Sequence, residues 1–315
     1  VVSITGETFQ VYFLGTAGAL PTPNRNPSCI MVKRGSDTIL LDCGEGVQQQ
    51  MMRARTGFSV DAIFITHWHA DHFLGIFGLL QSLSFMGRTA SLPVYGPEGC
   101  HEFISLVRQF FKYNIRFSIQ SIHVSSGSVI RFNGYSIYVI STQHGTQSVG
   151  YIVSEDPRPG KFNRDRAIEL SVEPGPLFGR LQRGETVKIL RNGILVDVHP
   201  NDVMGPPRPG RKIVYTGDTR PIPMLCGDIA YDADLLIHDA TFDDSELERA
   251  MDVYHSTAGE AGDTAHILRA RSLALVHISS RYASTISHIK DAKKQFNGEV
   301  IAPTDLTMIS IPFKE

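Results

Sequence analysis

The chain has 315 residues, is 42% hydrophobic and 20% charged, and carries a formal net charge of −2. That length buries a large core in one big domain or two modest ones, and the balance of charge gives no global signal for nucleic acid. No apolar run approaches the roughly 18 residues needed to cross a bilayer, so no membrane association is expected. The opening Val1-Val2-Ser3-Ile4 lacks the basic, apolar and small-residue regions of a signal peptide. Cys29, Cys43, Cys100 and Cys226 lie far apart with no C-x-x-C pair, which argues against a disulfide framework and against a cysteine zinc ribbon. The expectation is a cytoplasmic protein with reduced thiols.

Along the chain, short β-rich runs end in small or polar residues: Phe9 to Leu14, Ser28 to Val32, Thr38 to Leu41 and Ala62 to Thr66. The spacing predicts a helix from about His72 to Met86, with Leu74, Phe77, Leu80, Leu83 and Phe85 on its buried face. A second strand series follows at Val129 to Ile140, Val149 to Val153, Lys212 to Thr216, Asp234 to Ile237, Ser272 to Ile278 and Val300 to Ala302. Helices are expected over Glu98 to Tyr113, Thr257 to Ala270 and Thr285 to Phe296. Two such halves suggest stacked sheets covered by helices on both outer faces.

Arg158 to Lys212 departs from this scheme, being rich in Pro and Gly and holding eleven Lys/Arg against six Asp/Glu. The segment is therefore +5, which leaves −7 for the rest of the chain. An insertion with its own charge sign reads as an appended module that meets a polyanion. The bland alternative is a solvated surface loop.

The strand Ile63-Phe64-Ile65-Thr66 delivers His67-Trp68-His69-Ala70-Asp71-His72 into a turn and then a helix. Four ligand-type side chains within six residues of such a bend can point into one cavity, and imidazoles with carboxylate are what Zn²⁺ takes. This spacing resembles the H-x-H-x-D-H signature of the metallo-β-lactamase superfamily. Further candidates sit at strand ends: His144 after Ser141-Thr142-Gln143, Asp218 after Thr216-Gly217, and His277 after Leu273 to Val276. Asp42, in Leu41-Asp42-Cys43-Gly44-Glu45-Gly46, resembles the superfamily's first motif. Any one of these alone would more ordinarily be a capped or buried polar residue. The resemblance implies that His67, His69 and His144 hold one zinc, that Asp71, His72 and His277 hold a second, and that Asp218 spans both. It implies that Asp42 orients a ligand histidine rather than binding metal.

His238-Asp239-Ala240-Thr241 and His255-Ser256-Thr257 narrow the resemblance to the tRNase Z (ribonuclease Z) family, which carries a His-Glu-Ala-Thr loop and a His-Ser-Thr loop. Matching segments include Arg25-Asn26-Pro27-Ser28, Gly217-Asp218-Thr219-Arg220-Pro221 and His277-Ile278-Ser279-Ser280-Arg281-Tyr282. The insertion looks like that family's flexible arm in its shorter, single-domain form, with Gly175 to Gly179 and Gly205 to Gly210 as hallmark ends. Two departures stand out. Asp239 replaces Glu, one methylene shorter, and Pro23 stands where the family often has the Lys of Pro-x-Lys-x-Arg-Asn, a loop associated with handling a 3′ CCA. His101, His123, His199, His266 and His288 lack such context and read as surface or core histidines.

The resemblance implies an α+β fold, a four-layer αββα metallo-β-lactamase sandwich across residues 1–315 with a basic, flexible tRNA-binding arm inserted at about 158–212. It implies two Zn²⁺ per chain, a homodimer, and a zinc-dependent endoribonuclease that removes the 3′ trailer of precursor tRNA with an activated water, leaving a 3′-OH. Asp71 is expected to ligate metal and orient the attacking water. His255, held by Asp239, is the candidate acid for the departing 3′-oxygen. Arg25, Asn26, Ser280 and Arg281 are candidates for binding phosphate near the cut. One alternative is another member of the superfamily acting on small phosphodiesters or esters, which needs no basic arm. A second is a non-catalytic RNA-binding relative, against which the intact ligand set stands.

Overall fold

The computed structural model describes residues 7–111, 115–221 and 228–314; Val1 to Ile4, Tyr113 and Cys226 lie outside the described residues. In chain order the first half forms β1 (Phe9–Gly15), β2 (Cys29–Arg34), β3 (Asp37–Leu41), α1 (Val47–Arg53), β4 (Ala62–Phe64), α2 (Ala70–Phe73), α3 (Gly75–Phe85), β5 (Leu92–Gly96), α4 (Cys100–Phe110) and β6 (Ile119–His123). There follow β7 (Val129–Phe132), β8 (Tyr135–Ser141) and β9 (Val149–Glu155). The insertion supplies α5 (Arg164–Glu169), α6 (Pro176–Gln182), β10 (Val187–Arg191), β11 (Ile194–Val198) and α7 (Pro200–Val203). The chain then runs through β12 (Lys212–Tyr215), β13 (Leu235–Asp239), α8 (Leu247–Asp252), α9 (Ala258–Ile267), β14 (Ser272–Val276), α10 (Ile286–Gln295), β15 (Glu299–Ile301) and β16 (Met308–Ser310).

Two seven-stranded sheets result, in the orders β16-β1-β2-β3-β4-β5-β6 and β15-β14-β13-β12-β9-β8-β7. Each is antiparallel toward one side and parallel toward the other: β3 to β6 run parallel, as do β12 to β15. The inner faces share one apolar layer, with Phe13, Ile39 and Phe64 of the first sheet in the same cluster as Tyr151, Ile213 and Ile237 of the second. Outside the first sheet, Leu40, Ile63 and Val94 pack with Leu79, Leu80 and Leu83 of α3 and Ile104 of α4. Outside the second, Leu236, Leu273 and Leu275 pack with the alanines of α9 and with Ala292 of α10. This is the expected αββα sandwich. A side chain on Gly75 would overlap the carbonyl oxygen of Gly44, and only a glycine lets the helical layer sit that close to the Gly44-Glu45-Gly46 turn.

Some sequence expectations need correcting. The helix from His72 is two helices, and its apolar phase is Ile76, Leu79, Leu80 and Leu83, whereas Leu74 and Phe85 are exposed. The expected strand Val129 to Ile140 is a hairpin, broken at Asn133-Gly134 with Gly134 at φ 79°. Asn-Gly is a strong hairpin signal that the apolar run obscured. The elements α1, β5, β6 and α8 had no clear signature in their mixed residues.

Residues 155–210, with Lys314, form a second compact unit. It has a core of Ala167, Val172, Leu181, Val187, Ile189, Val198 and Val203, so it is folded rather than a bare loop. Its hairpin β10–β11 turns through Asn192 and Gly193, both at positive φ, as a two-residue type I′ turn demands. Arg211 and Lys212 fall outside it. Arg211 is buried, donates to the carbonyls of Ile311 and Glu7, and lies over the Phe313 ring, while Lys212 opens β12. On these bounds residues 155–210 hold nine Lys/Arg and eight Asp/Glu, so the +5 excess depended on where the segment was cut.

Candidate metal centre

The ligand-type residues gather where parallel strands end. Asp42 follows β3, His67 and His69 follow β4, Asp71 and His72 lie on α2, Asp218 follows β12, Asp239 ends β13 and His277 follows β14. His144 lies in the loop between β8 and β9. Asp42 and His277 both adopt left-handed backbone conformations, at φ 59° and 61°, which turns their side chains off the strand path. Three groups converge: His67, His69, His144 and Asp218; Asp71, His72 and His277; and Asp218, Asp239, His255 and His277, with the donor atoms of each group within 4.8 Å of one another.

Hydrogen bonds assign the tautomers. Thr66 Oγ1 lies 3.0 and 2.9 Å from the two oxygens of Asp42 and must donate to that carboxylate. With its one proton spent there, Thr66 Oγ1 accepts from His67 Nδ1 at 3.0 Å. His72 Nδ1 donates to Asp42 Oδ2 at 2.7 Å, and His144 Nδ1 to the Tyr254 carbonyl at 3.0 Å. Thr241 Oγ1 donates to Asp239 Oδ1 at 2.7 Å and so accepts from His277 Nδ1 at 2.8 Å. Four imidazoles therefore turn an Nε2 lone pair to the cavity. His69 turns its Nδ1 there, 3.0 Å from His67 Nε2 and 3.2 Å from His144 Nε2.

Asp218 Oδ2 lies 3.7 Å from His67, 3.2 Å from His72, 3.9 Å from His144 and 3.3 Å from His277, measured to each Nε2. Asp71 Oδ2 is 3.4 Å from His72 Nε2 and 3.3 Å from His277 Nε2. One Asp218 oxygen thus faces both clusters. Burial pushes Asp71 and Asp218 up, but the surrounding histidines outweigh it and hold both carboxyls below their usual range. Burial with its histidine neighbours pushes His67 down to about 2. His72 Nε2 is buried without a hydrogen-bond partner. Ionised carboxylates, inward lone pairs and an orphaned nitrogen fit divalent cations. Among the described residues, these seven side chains would hold them.

Asp239 does not join that set. Its fully buried carboxylate accepts from Thr241 N (2.9 Å), Thr241 Oγ1 (2.7 Å), Thr219 N (3.0 Å) and His255 Nδ1 (2.8 Å). Those four bonds use its acceptor capacity. The shorter side chain still reaches its histidine. Burial lowers the His255 pKa, but Asp239 outweighs it, and the imidazole is pushed up to about 9. His255 stacks on His277 at 4.9 Å between centroids, and cations held by the neighbouring donors would oppose that rise.

The phosphate candidates fare differently. Arg25 Nη1 donates to Thr16 Oγ1 (2.6 Å) and to the Pro303 carbonyl (2.8 Å), and Asn26 N donates to Asp305 Oδ2 at 2.6 Å. These contacts brace the loop that carries Pro23, itself exposed. Ser280 and Arg281 are exposed beyond His277. His101, His123, His199 and His266 are exposed, and His288 is buried. Sequence reasoning missed Thr66, Tyr215, Thr241 and Arg220, none of which is a ligand type. Tyr215, whose hydroxyl donates to Asp42 Oδ2 at 2.7 Å, sits 173 residues from its partner.

Residues 22–247 match the family model described as the metallo-beta-lactamase superfamily. A protein named Ribonuclease Z from Methanosarcina acetivorans is 48% identical over 307 residues, covering 97% of this chain and 99% of its own. One of the same name from Myxococcus xanthus is 43% identical over 307 residues, with coverage of 97% and 99%. Among solved structures, human tRNase Z, short form, matches at a TM-score of 0.68 and 25% identity, covering 96% of this chain and 100% of that one.

Because one Asp218 oxygen faces both clusters, Asp218→Ala should lower the metal content of both rather than of one. Metal per chain, measured by elemental analysis after dialysis, is the test. Full metal retention would remove the shared role.

Proposed function

The chain belongs to the ribonuclease Z family of the metallo-β-lactamase superfamily, and on that premise we propose that it is a two-zinc endoribonuclease that removes the 3′ trailer of precursor tRNA. The observation that carries this reading is one cavity with seven converging metal donors and, against it, a histidine braced by a carboxylate that is not a ligand. Five imidazoles and two carboxylates suit Zn²⁺, and seven donors exceed one tetrahedral site. Such cations supply Lewis acidity at the phosphodiester and bring a water's pKa near neutrality.

The chain's own groups divide the remaining work. Asp71, between His72 and His277, accepts a hydrogen bond from the attacking water and fixes its direction. Attack by water rather than by a 2′-OH leaves a 3′-OH on the tRNA and a 5′-phosphate on the trailer. His255 uses Nδ1 to hold Asp239, so Nε2 carries the proton to the departing 3′-oxygen. Incubation with a 3′-extended precursor, mapping both new ends, tests the whole reading. A 2′,3′-cyclic phosphate, or an uncut precursor with metal bound, overturns it.

Residues 155–210 are the proposed tRNA-binding arm. With their net charge small, the argument rests on exposed cations such as Arg164, Lys188 and Arg191. A homodimer is proposed as well, through the helical layer of the first sheet, where Met52, Phe85, Met86, Leu106 and Phe110 are exposed. Sedimentation should show two chains, and Phe85→Ser with Phe110→Ser should yield single chains. A cytoplasmic location is proposed too, supported by three cysteines that are free and buried among the described residues, Cys29, Cys43 and Cys100.

Asn163 N donates to the Val203 carbonyl at 2.7 Å, so the ends of 164–203 face each other and the segment can be excised. Its removal should abolish precursor-tRNA cleavage and flatten the salt dependence of binding, since each lost phosphate contact reduces that slope. Hydrolysis of a small phosphodiester should persist. Equal loss of both activities would make the unit purely structural.

His255→Ala should keep metal and RNA affinity yet slow tRNA cleavage by about 10²–10⁴-fold, the usual worth of a positioned general acid. The defect should shrink on bis(nitrophenyl) phosphate, whose leaving group needs no proton. Equal slowing on both substrates, with metal intact, sinks the donor role.

A further inference from the structure

Arg220 belongs to neither the metal set nor the proton donor, yet its side chain reaches the backbone of His255. Its Nη1 donates to the His255 carbonyl at 2.5 Å and to Glu260 Oε2 at 2.8 Å, while Nη2 pairs with Glu260 Oε1. The pair is sheltered, with side chains 14% and 22% exposed, and its fork-on-carboxylate geometry fixes direction as well as distance. Glu260 is fixed in turn, because Oε2 accepts from Thr257 N at 2.9 Å in the capping box that opens α9.

The backbone of Arg220 is held by the metal side of the site. Arg220 N donates to the Gln143 carbonyl at 2.8 Å, next to the ligand His144, and Arg220 stands two residues after the ligand Asp218. Ser256 Oγ donates to the Thr219 carbonyl at 2.5 Å, and His144 Nδ1 donates to the Tyr254 carbonyl at 3.0 Å. Three successive residues, Tyr254, His255 and Ser256, are thus each tied to a segment carrying a metal ligand. Tyr254 has a left-handed backbone at φ 59°, a conformation that its surroundings must impose.

We propose that the Arg220–Glu260 ion pair is a positioning device that sets His255 in register with the metal centre. Arg220 touches the carbonyl of His255 and acts through it, which makes it a positioning residue rather than a catalytic one. Asp239 aims the imidazole, and Arg220 places the backbone that carries it. This rests on the reading of His255 as proton donor, and the competing account is a cap that only stabilises α9.

A double-mutant cycle in the 315-residue chain loaded with zinc separates the two. Arg220→Ala should slow precursor-tRNA cleavage by about 10²-fold, the scale of a catalytic group displaced by an ångström, and should slow bis(nitrophenyl) phosphate far less. Adding it to His255→Ala should cost nothing further on RNA. Arg220→Lys keeps the charge without the two-pronged fork and should recover only part of the rate. Glu260→Gln keeps an acceptor for the cap but loses the charge, and it should fall with Arg220→Lys, which covers the case where Arg220→Ala does not fold. Additive losses in the cycle, or equal slowing on both substrates, overturn the proposal. If His255→Ala itself slows both substrates equally, the donor reading falls separately, and the cycle still reports whether Arg220 acts through His255.

Discussion

A single buried carboxylate, Asp42, joins the two sheets at the point where the metal donors meet. It accepts from Thr66 N and Thr66 Oγ1 after β4, from His72 Nδ1 on α2, and from Tyr215 at the end of β12 in the opposite sheet. A fully buried carboxylate is tolerated only when its acceptor sites are filled. The same bonds that satisfy Asp42 therefore fix His72, set Thr66 as an acceptor for His67, and register β12, which delivers Asp218. Burial and the facing Asp42 push the Tyr215 hydroxyl up, so it remains a donor. Losing one partner would leave the charge unsatisfied and disturb ligands in both halves.

A second carboxylate repeats the logic on the other side. Asp239 collects Thr219 N, Thr241 N, Thr241 Oγ1 and His255 Nδ1, and through Thr241 it sets His277. Asp42 and Asp239, each filled by hydrogen-bond donors, thus decide which nitrogen each of four histidines presents. The division follows from hydrogen-bond capacity, since Asp42 and Asp239 are saturated by donors while Asp71 and Asp218 face imidazole nitrogens that turn lone pairs toward them. Residue type alone could not have separated the four.

The sequence showed the site better than its support. His67, His69, Asp71 and His72 lie within six positions, and a local pattern survives any uncertainty about tertiary structure. His144, Asp218 and His277 were legible as ligand types that follow apolar strands, and for Asp218 and His277 those strands, β12 and β14, are parallel ones, whose carboxyl ends commonly carry function. Tyr215, Thr66, Thr241 and Arg220 were not, since their partners are distant and their types are common in any core. The fold class followed from two strand series, whereas the helix phase failed at Leu74, which lies between α2 and α3, and at Phe85, which falls off the buried Ile76-Leu79-Leu80-Leu83 stripe. The insertion's charge was legible only as a local excess, and the structural boundary moved the buried Arg211 into the other unit.

The arrangement also accommodates Asp239 at the position where the tRNase Z resemblance implies a longer glutamate. A shorter side chain reaches His255 only if its backbone comes closer, and Asp239 is the last residue of β13, with Ala240 N bonded to the Val276 carbonyl at 2.9 Å. The strand end is thereby fixed against β14, next to His277. His255 must then be brought to the carboxylate rather than the reverse, and that demand falls on its own loop. Ser256, Tyr254 and the Arg220–Glu260 pair hold that loop from three sides. The side chain that aims the imidazole is short, so the placement of His255 is set by the backbone anchors. Lengthening Asp239 to Glu in this chain would crowd a carboxylate that already accepts four bonds, unless those anchors yielded.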